Sequence, residues 1–283
     1  MSSKFNMEPK INVKFYGTRG SIPISEPGFY EFGGNTTCIA LTNNQNNRVT
    51  IIDAGTGIRK LGKEIELNDK YNNEIYLAFT HFHWDHIQGF PFFKPAYNSA
   101  KKLTIITMGR DRPLKDIKSL FDFQMNEYYF PVQLDEMGAE MKFLMPKEEI
   151  ELFGETVVTV RKHNHPGTAY SMRLYWRGKV IVISTDIEHG KKIDQRIVNL
   201  AQGADLLIHD AQYTSEELEK HRGWGHSSYE QAIEVAEQAA CKMLVMTHHD
   251  PDHNDEFLSQ VEKKCQKRFK NCVLAREGME ITV

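Results

Sequence analysis

Residues 80–89 read THFHWDHIQG and follow directly on the apolar run IYLAF at 75–79. A short run of apolar, β-branched and aromatic residues predicts a strand. An extended exit from that strand points His81, His83 and Asp85 to one side, because successive side chains alternate. His86 then projects from the turn that follows. Three imidazoles and a carboxylate within this stretch are poor core filler, since each would need its own buried partner. Divalent metal satisfies them together, because histidine nitrogen and aspartate oxygen are ligands that zinc uses.

Further strand-like runs lie on both sides of this one. They are Val13–Tyr16, Thr37–Leu41, Val49–Asp53, Leu103–Thr107, Thr156–Arg161, Ser171–Trp176, Lys179–Ser184, Leu206–His209 and Met243–Thr247. The polar run TNNQNNR at 42–48 reads as a hairpin loop. Helical spacing appears later. Ile193, Ile197, Val198 and Leu200 share a helical face, with Gly203 as the C-terminal stop. Ser227 and Glu230 predict a capping box ahead of Ile233, Ala236 and Ala240. Phe257, Leu258, Val261 and Cys265 mark a last helix. Many strands followed by helices interleaved with strands predict a mixed α/β fold in four layers, an αββα sandwich, as one domain over residues 1–283. Residues 111–144 are less regular and hold Phe121, Phe123, Tyr128, Tyr129 and Phe130, which suggest a lid or a dimer element.

Composition narrows the class. The chain has 283 residues, 40% hydrophobic and 26% charged, enough to bury a sizeable core. Its formal charge is −3. An extended nucleic-acid surface would bring a basic surplus, because phosphate contacts dominate that affinity. The N-terminus has no apolar segment of signal-peptide type, and no stretch reaches transmembrane length. Cys38, Cys241, Cys265 and Cys272 show no CxxC spacing and read as reduced thiols. Together these predict a cytoplasmic protein away from membranes.

Five segments in order resemble the motifs of the metallo-β-lactamase superfamily, from about Val13 to the C-terminus. Asp53 closes the strand VTIID and matches the aspartate that orients the histidine loop. HxHxDH at 81–86 is the second motif. His165 in HNHPGTAYSMR, Asp186 in VISTDIEH and His248 in LVMTHHDPDH match the remaining three. The resemblance implies one metal on His81, His83, His165 and Asp186. It implies a second on Asp85, His86, Asp186 and His248, with a nucleophilic hydroxide shared between ions about 3.5–4 Å apart. Zinc is the first expectation; manganese and iron stay open, because nitrogen and oxygen ligands do not choose among them. His163 competes with His165 and His249 with His248, but the motifs fit at His165 and His248.

Among branches of that superfamily, the phosphodiesterase branch that includes tRNase Z is the best partial match. HDAQ at 209–212 resembles its HEAT motif with Asp210 at the acidic position, and GHSS at 225–228 resembles its GHST motif. The resemblance implies that Asp210 and His226 together serve the departing oxygen. Asp85, His226 and Asp210 are therefore the expected catalytic residues. The turns GTRGSIP at 17–23 and GGNTT at 33–37 suggest a phosphate cradle, which makes Arg19, Asn35 and His249 candidate substrate contacts. The chain lacks the glycine-proline signature of a tRNA-gripping arm. The expected substrate is thus a small phosphodiester, foremost a cyclic nucleotide such as cAMP or cGMP, acted on by a homodimer. An RNA 3′-endonuclease and a non-catalytic nucleotide-binding regulator are the alternatives.

Overall fold

The computed structural model describes residues 8–68, 70–108, 117–145, 149–152 and 156–283. Six strands come first: β1 (Ile11–Gly17), β2 (Cys38–Asn43), β3 (Val49–Ile52), β4 (Glu74–Phe79), β5 (Lys102–Thr107) and β6 (Glu140–Leu144). Then follow β7 (Glu149–Leu152), β8 (Thr156–His163), β9 (Ala169–Trp176), β10 (Lys179–Ser184), β11 (Leu206–Asp210), β12 (Leu244–Thr247), β13 (Cys272–Leu274) and β14 (Glu280–Thr282). The helices are α1 (Ile58–Glu66), α2 (Trp84–Ile87), α3 (Lys118–Gln124), α4 (Gln195–Ala201), α5 (Ser215–Lys220), α6 (Tyr229–Gln238) and α7 (Asp255–Arg268).

The strands form two sheets of seven, ordered β14-β1-β2-β3-β4-β5-β6 and β13-β12-β11-β10-β9-β8-β7. Alternation along each strand sorts its side chains into layers. Val13, Phe15, Ile39, Ile52 and Ala78 of the first sheet meet Met172, Ile181, Ile208 and Val245 of the second in the central core. Their neighbours Cys38, Ile51, Leu77 and Ile105 face outward onto Ile58, Leu61 and Ile65 of α1. Val182, Leu207 and Met246 face outward onto Ile197, Ile233 and Leu258 of the later helices. Both faces of each sheet are covered, which is why the central strands read as nearly continuous apolar runs. The result is the four-layer αββα sandwich expected from the sequence. All four cysteines are free and buried. No helix among the described residues is long and apolar enough to cross a membrane.

Sheet topology decides where chemistry can sit. β3, β4 and β5 run parallel in the first sheet, and β10, β11 and β12 run parallel in the second. Their carboxyl ends therefore open onto common edges, where loops can converge on a ligand.

Three expectations change. The capping box sits one residue later, with Ser228 as N-cap and Gln231 as its reciprocal partner; Ser227 instead donates its hydroxyl to Ile187 O. β6, β7, β13 and β14 were not anticipated, nor were α1, α2, α3 and α5. The segment 111–144, expected as a lid or dimer element, anchors several side chains in the core. Residues 111–116 lie outside the described residues, but Ile117, Phe121, Met125, Leu134 and Met137 are buried beneath the first sheet, and β6 pairs with β5. Only Phe123, Tyr128 and Tyr129 of its aromatics are exposed.

Phe121 distinguishes core from lid. Its ring lies 4.7 Å from Phe90, 5.4 Å from Phe79 and 5.9 Å from Phe143, centroid to centroid. Phe121→Ala is expected to lower unfolding free energy by about 3–5 kcal/mol in urea denaturation. A loss below about 1 kcal/mol would restore the lid.

Candidate metal centre

Each proposed ligand lies at or just beyond the carboxyl end of a strand or in a turn that follows one. Asp53 comes after β3, His81 to His86 after β4, His165 after β8, Asp186 after β10 and His248 after β12. Three of these residues, Asp53, Asp186 and His248, have φ of 60°, 55° and 65°. Left-handed backbone at residues other than glycine costs roughly 1–3 kcal/mol each and persists where the surroundings impose it. Here the conformation turns a strand end sharply, so that its side chain swings back over the sheet edge.

The folding brings the expected ligands together. The nitrogens of His81, His83 and His165 lie within 4.8 Å of one another, and so do single ligand atoms of Asp85, His86, Asp186 and His248. Asp186 stands between the groups. Its carboxylate oxygens lie 3.1 Å from His86 Nε2, 3.2 Å from His248 Nε2 and 3.6 Å from His81 Nε2. His81 Nε2 is buried and makes no hydrogen bond.

The far side of each ring explains why these nitrogens face inward. His86 Nδ1 is 2.8 Å from Asp53 Oδ2, His248 Nδ1 is 3.0 Å from Gln212 Oε1, and His165 Nδ1 is 2.8 Å from Gly225 O. His81 Nδ1 is 3.1 Å from Thr80 Oγ1, whose own proton goes to Asp53 Oδ2. An acceptor on Nδ1 fixes the tautomer and leaves Nε2 with its lone pair for a cation, the usual device around protein-bound metals. His83 differs. Its Nδ1 faces His165 Nε2 at 3.0 Å. With the unpartnered His81 Nε2 beside them, these two nitrogens form a cluster that a cation would satisfy together.

Charge points the same way. Burial disfavours the charged form of Asp186, yet His248, His86 and His81 hold its carboxyl well below the usual range. Burial likewise opposes charge on Asp85, and His86 and the bond from His248 outweigh it. Against burial, Asp186 and Asp85 push His248 up to about 10. The cluster thus carries a surplus of negative field, which favours divalent cations. Two ions fit the donor set, its geometry and its charge.

Beside the ligands lies a second pair. Asp210, fully buried at the end of β11, takes His226 Nδ1 at 2.7 Å and the Ser227 N–H at 2.8 Å. The His226 ring stacks on His248 with centroids 4.8 Å apart. His226, His83, Asp85, His165, Asp186 and His248 line one cavity of about 420 Å³ with Ser21, Phe82, Trp84 and Trp224.

The expected substrate contacts are not among those lining residues. Arg19 is fully buried, its guanidinium donating to the carbonyls of Gly33, Asp250 and His253; it holds loops together. The Asn35 amide is held by Glu277. His249 is buried with Nε2 on Ala275 O. The phosphate cradle is likewise filled by the protein itself: Thr18 and Arg19 N–H bond Asn35 O, and Asn35 N–H bonds Glu277. Ser21 N–H bonds Asp85 Oδ2. Gly20 is there for a different reason, since a Cβ would meet the His248 ring at 2.2 Å.

Other supports escaped the sequence reading. His163 is buried and neutral, lowered to about 4 by burial. Its Nε2 contacts Asp186 O and its Nδ1 contacts Ser171 Oγ, so it holds the strained backbone of Asp186. Glu188 accepts the N–H groups of Gly223 and Gly225 and so fastens the His226 loop. Gln212 was visible in HDAQ, but nothing in the motif showed that it reaches His248.

A family model described as the Beta-lactamase superfamily domain matches residues 48–249. Ribonuclease Z of Archaeoglobus fulgidus is 24% identical over 315 aligned positions, which cover 96% of this chain and 98% of that protein. The metallo-beta-lactamase fold protein YhfI from Bacillus subtilis superposes with a TM-score of 0.73 at 18% identity, covering 98% of this chain and all of that one. The short form of human tRNase Z gives 0.68 at 19%, covering 95% and 98%. The chain belongs to the metallo-β-lactamase superfamily of hydrolases.

Asp53 contacts the histidine loop and none of the inward-facing nitrogens. Asp53→Ala is expected to weaken metal binding by roughly 10–100-fold, as for other residues that orient ligands. Competition with a chelator, followed by elemental analysis, measures this. Unchanged affinity in a folded variant would remove Asp53 from the site.

Proposed function

We propose that the chain is a two-metal phosphodiesterase acting on a small phosphodiester, foremost a cyclic nucleotide of the cAMP or cGMP kind. The observation that carries this reading is the buried Asp210–His226 pair beside the ligand cluster. An alkoxide leaving phosphorus needs a proton, and an imidazole is the side chain suited to deliver one near neutrality.

One ion would be held by His81, His83, His165 and Asp186, the other by Asp85, His86, Asp186 and His248. Together they would supply Lewis acidity toward the phosphoryl oxygens and lower the pKa of bound water. The residues of the chain do the rest. Asp210 fixes the His226 ring by accepting from Nδ1, which leaves Nε2 as the nitrogen for the leaving oxygen. As a 3′,5′-cyclic ester opens, an oxygen from water joins phosphorus and the bond from phosphorus to the 3′ oxygen breaks. The 3′ oxygen takes the proton from His226, and Asp210 stabilises the imidazolium while it exists. Asp85, ionised and steadied by the Ser21 N–H, serves as ligand and aligns the attacking oxygen.

The preference for a small substrate rests on the cavity lining. Among the described residues it contains neither lysine nor arginine, and the chain is slightly acidic. A tRNA is gripped through many phosphates, which demands cations and makes binding steeply salt-dependent. The second reading, an RNA 3′-processing endonuclease, is favoured by relatives named ribonuclease Z, among them the Archaeoglobus fulgidus protein, which matches over 98% of its length.

A substrate panel separates the two. The metal-loaded protein is expected to open cAMP or cGMP to the monophosphate with a KM that barely changes with salt. Efficient cleavage of a tRNA precursor with no turnover of any cyclic nucleotide would promote the endonuclease.

His226→Ala is expected to keep its metal and lose about 10²–10⁴-fold in kcat on an alkyl-type ester, the range for general acid catalysis. The loss should shrink on an ester that releases p-nitrophenolate, which needs little protonation. Equal losses on both would leave His226 a structural role.

A further inference from the structure

The chain has three tryptophans. Trp176 is buried at 3% exposure, whereas Trp84 and Trp224 are each 62% exposed. Scattered exposed apolar side chains are ordinary on protein surfaces. These two are not scattered, since both line the same cavity as His226 and five of the proposed ligands.

Both have an anchored backbone, and the Trp224 indole is also packed from behind. Trp84 opens the one-turn helix α2 between His83 and Asp85, where His86 N–H bonds His83 O and Gln88 N–H bonds Trp84 O. Trp224 lies between Gly223 and Gly225, whose φ values are 89° and 95°. The Glu188 carboxylate clasps the N–H groups of both glycines, and Trp224 N–H bonds His221 O. The Trp224 indole packs edge-on against His221 at 4.8 Å, and His221 stacks on Tyr213 at 4.6 Å. Gly225 allows the loop to close on the site, because a Cβ there would meet His165 Nδ1 at 2.2 Å.

An exposed indole held rigidly beside a phosphodiester site offers a flat π-face at little cost in side-chain entropy. Nucleobases stack on such faces whatever their sequence. Among the described residues the cavity lining has no lysine or arginine, and Trp84 and Trp224 are its large flat faces. Its volume, about 420 Å³, is in the range that holds small organic ligands.

We infer that Trp84 and Trp224 are the walls on which the base of a nucleotide substrate stacks, so that the site selects phosphodiesters carrying a nucleobase. The inference rests on the phosphodiesterase reading above and names the residues that would hold the base of the nucleotide it proposes.

Two esters that differ only in the base test it on the metal-loaded enzyme: thymidine 5′-(p-nitrophenyl phosphate) and its abasic counterpart, 1,2-dideoxyribose 5′-(p-nitrophenyl phosphate). In both, water supplies the oxygen that joins phosphorus while the aryl P–O bond breaks and p-nitrophenolate leaves. The wild type is expected to prefer the thymidine ester in kcat/KM by roughly 5–150-fold per stacked face. Trp224→Leu and Trp84→Leu should each cut that ratio, chiefly through KM, and Trp224→Tyr should recover most of it. Binding gives an independent readout. AMP should quench the fluorescence of the exposed indoles, ribose 5-phosphate should not, and the double leucine variant should lose the quenching. An unchanged ester ratio in both leucine variants, or equal quenching by AMP and ribose 5-phosphate, would overturn the inference. If neither ester is hydrolysed, the phosphodiesterase reading fails, and the quenching comparison alone decides the walls.

Discussion

Asp53 accepts the Thr80 N–H, the Thr80 hydroxyl and His86 Nδ1, all at 2.8 Å. These bonds tie the end of one strand to the loop that leaves the next. The loop carries His81, His83, Asp85 and His86, so one carboxylate sets the position of four proposed ligands. The parallel pairing of β3 with β4 brings the two strand ends together. The left-handed backbone at Asp53 then turns its side chain across the gap.

The second sheet repeats the device with different chemistry. Asp186 and His248 also leave parallel strands through left-handed turns, and His163 and Gln212 hold them from behind. Strain of this kind is kept where packing and hydrogen bonds impose it. Here the imposed geometry gathers carboxylates and imidazole lone pairs at one edge of the sandwich. Neither sheet alone carries a full set. The central core that joins the sheets is therefore also what assembles the candidate site.

The sequence made much of this legible, and the reason is local. HxHxDH follows a strand within a few residues, so alternation alone predicts that its side chains cluster. The sheets were readable because strands covered on both faces are continuously apolar. What the sequence hid depends on contacts between distant segments. Arg19 looked like a free cation in a glycine-rich turn, but two of its three carbonyl partners lie more than two hundred residues away in the His248 loop. Phe121 looked like part of a lid because 111–144 lacks periodicity, yet a three-dimensional aromatic cluster buries it. Trp84 sits inside the motif and was overshadowed by the ligands around it; Trp224 acquires meaning only when its loop closes over the same cavity.

The account stands on Asp186 as the carboxylate shared by two ions, and native mass spectrometry of the metal-loaded protein addresses that directly. The wild type should carry two divalent ions per chain, and Asp186→Ala, still folded, should lose occupancy at both positions together. Two ions retained by Asp186→Ala, or a wild type that binds none under saturating zinc or manganese, would contradict it.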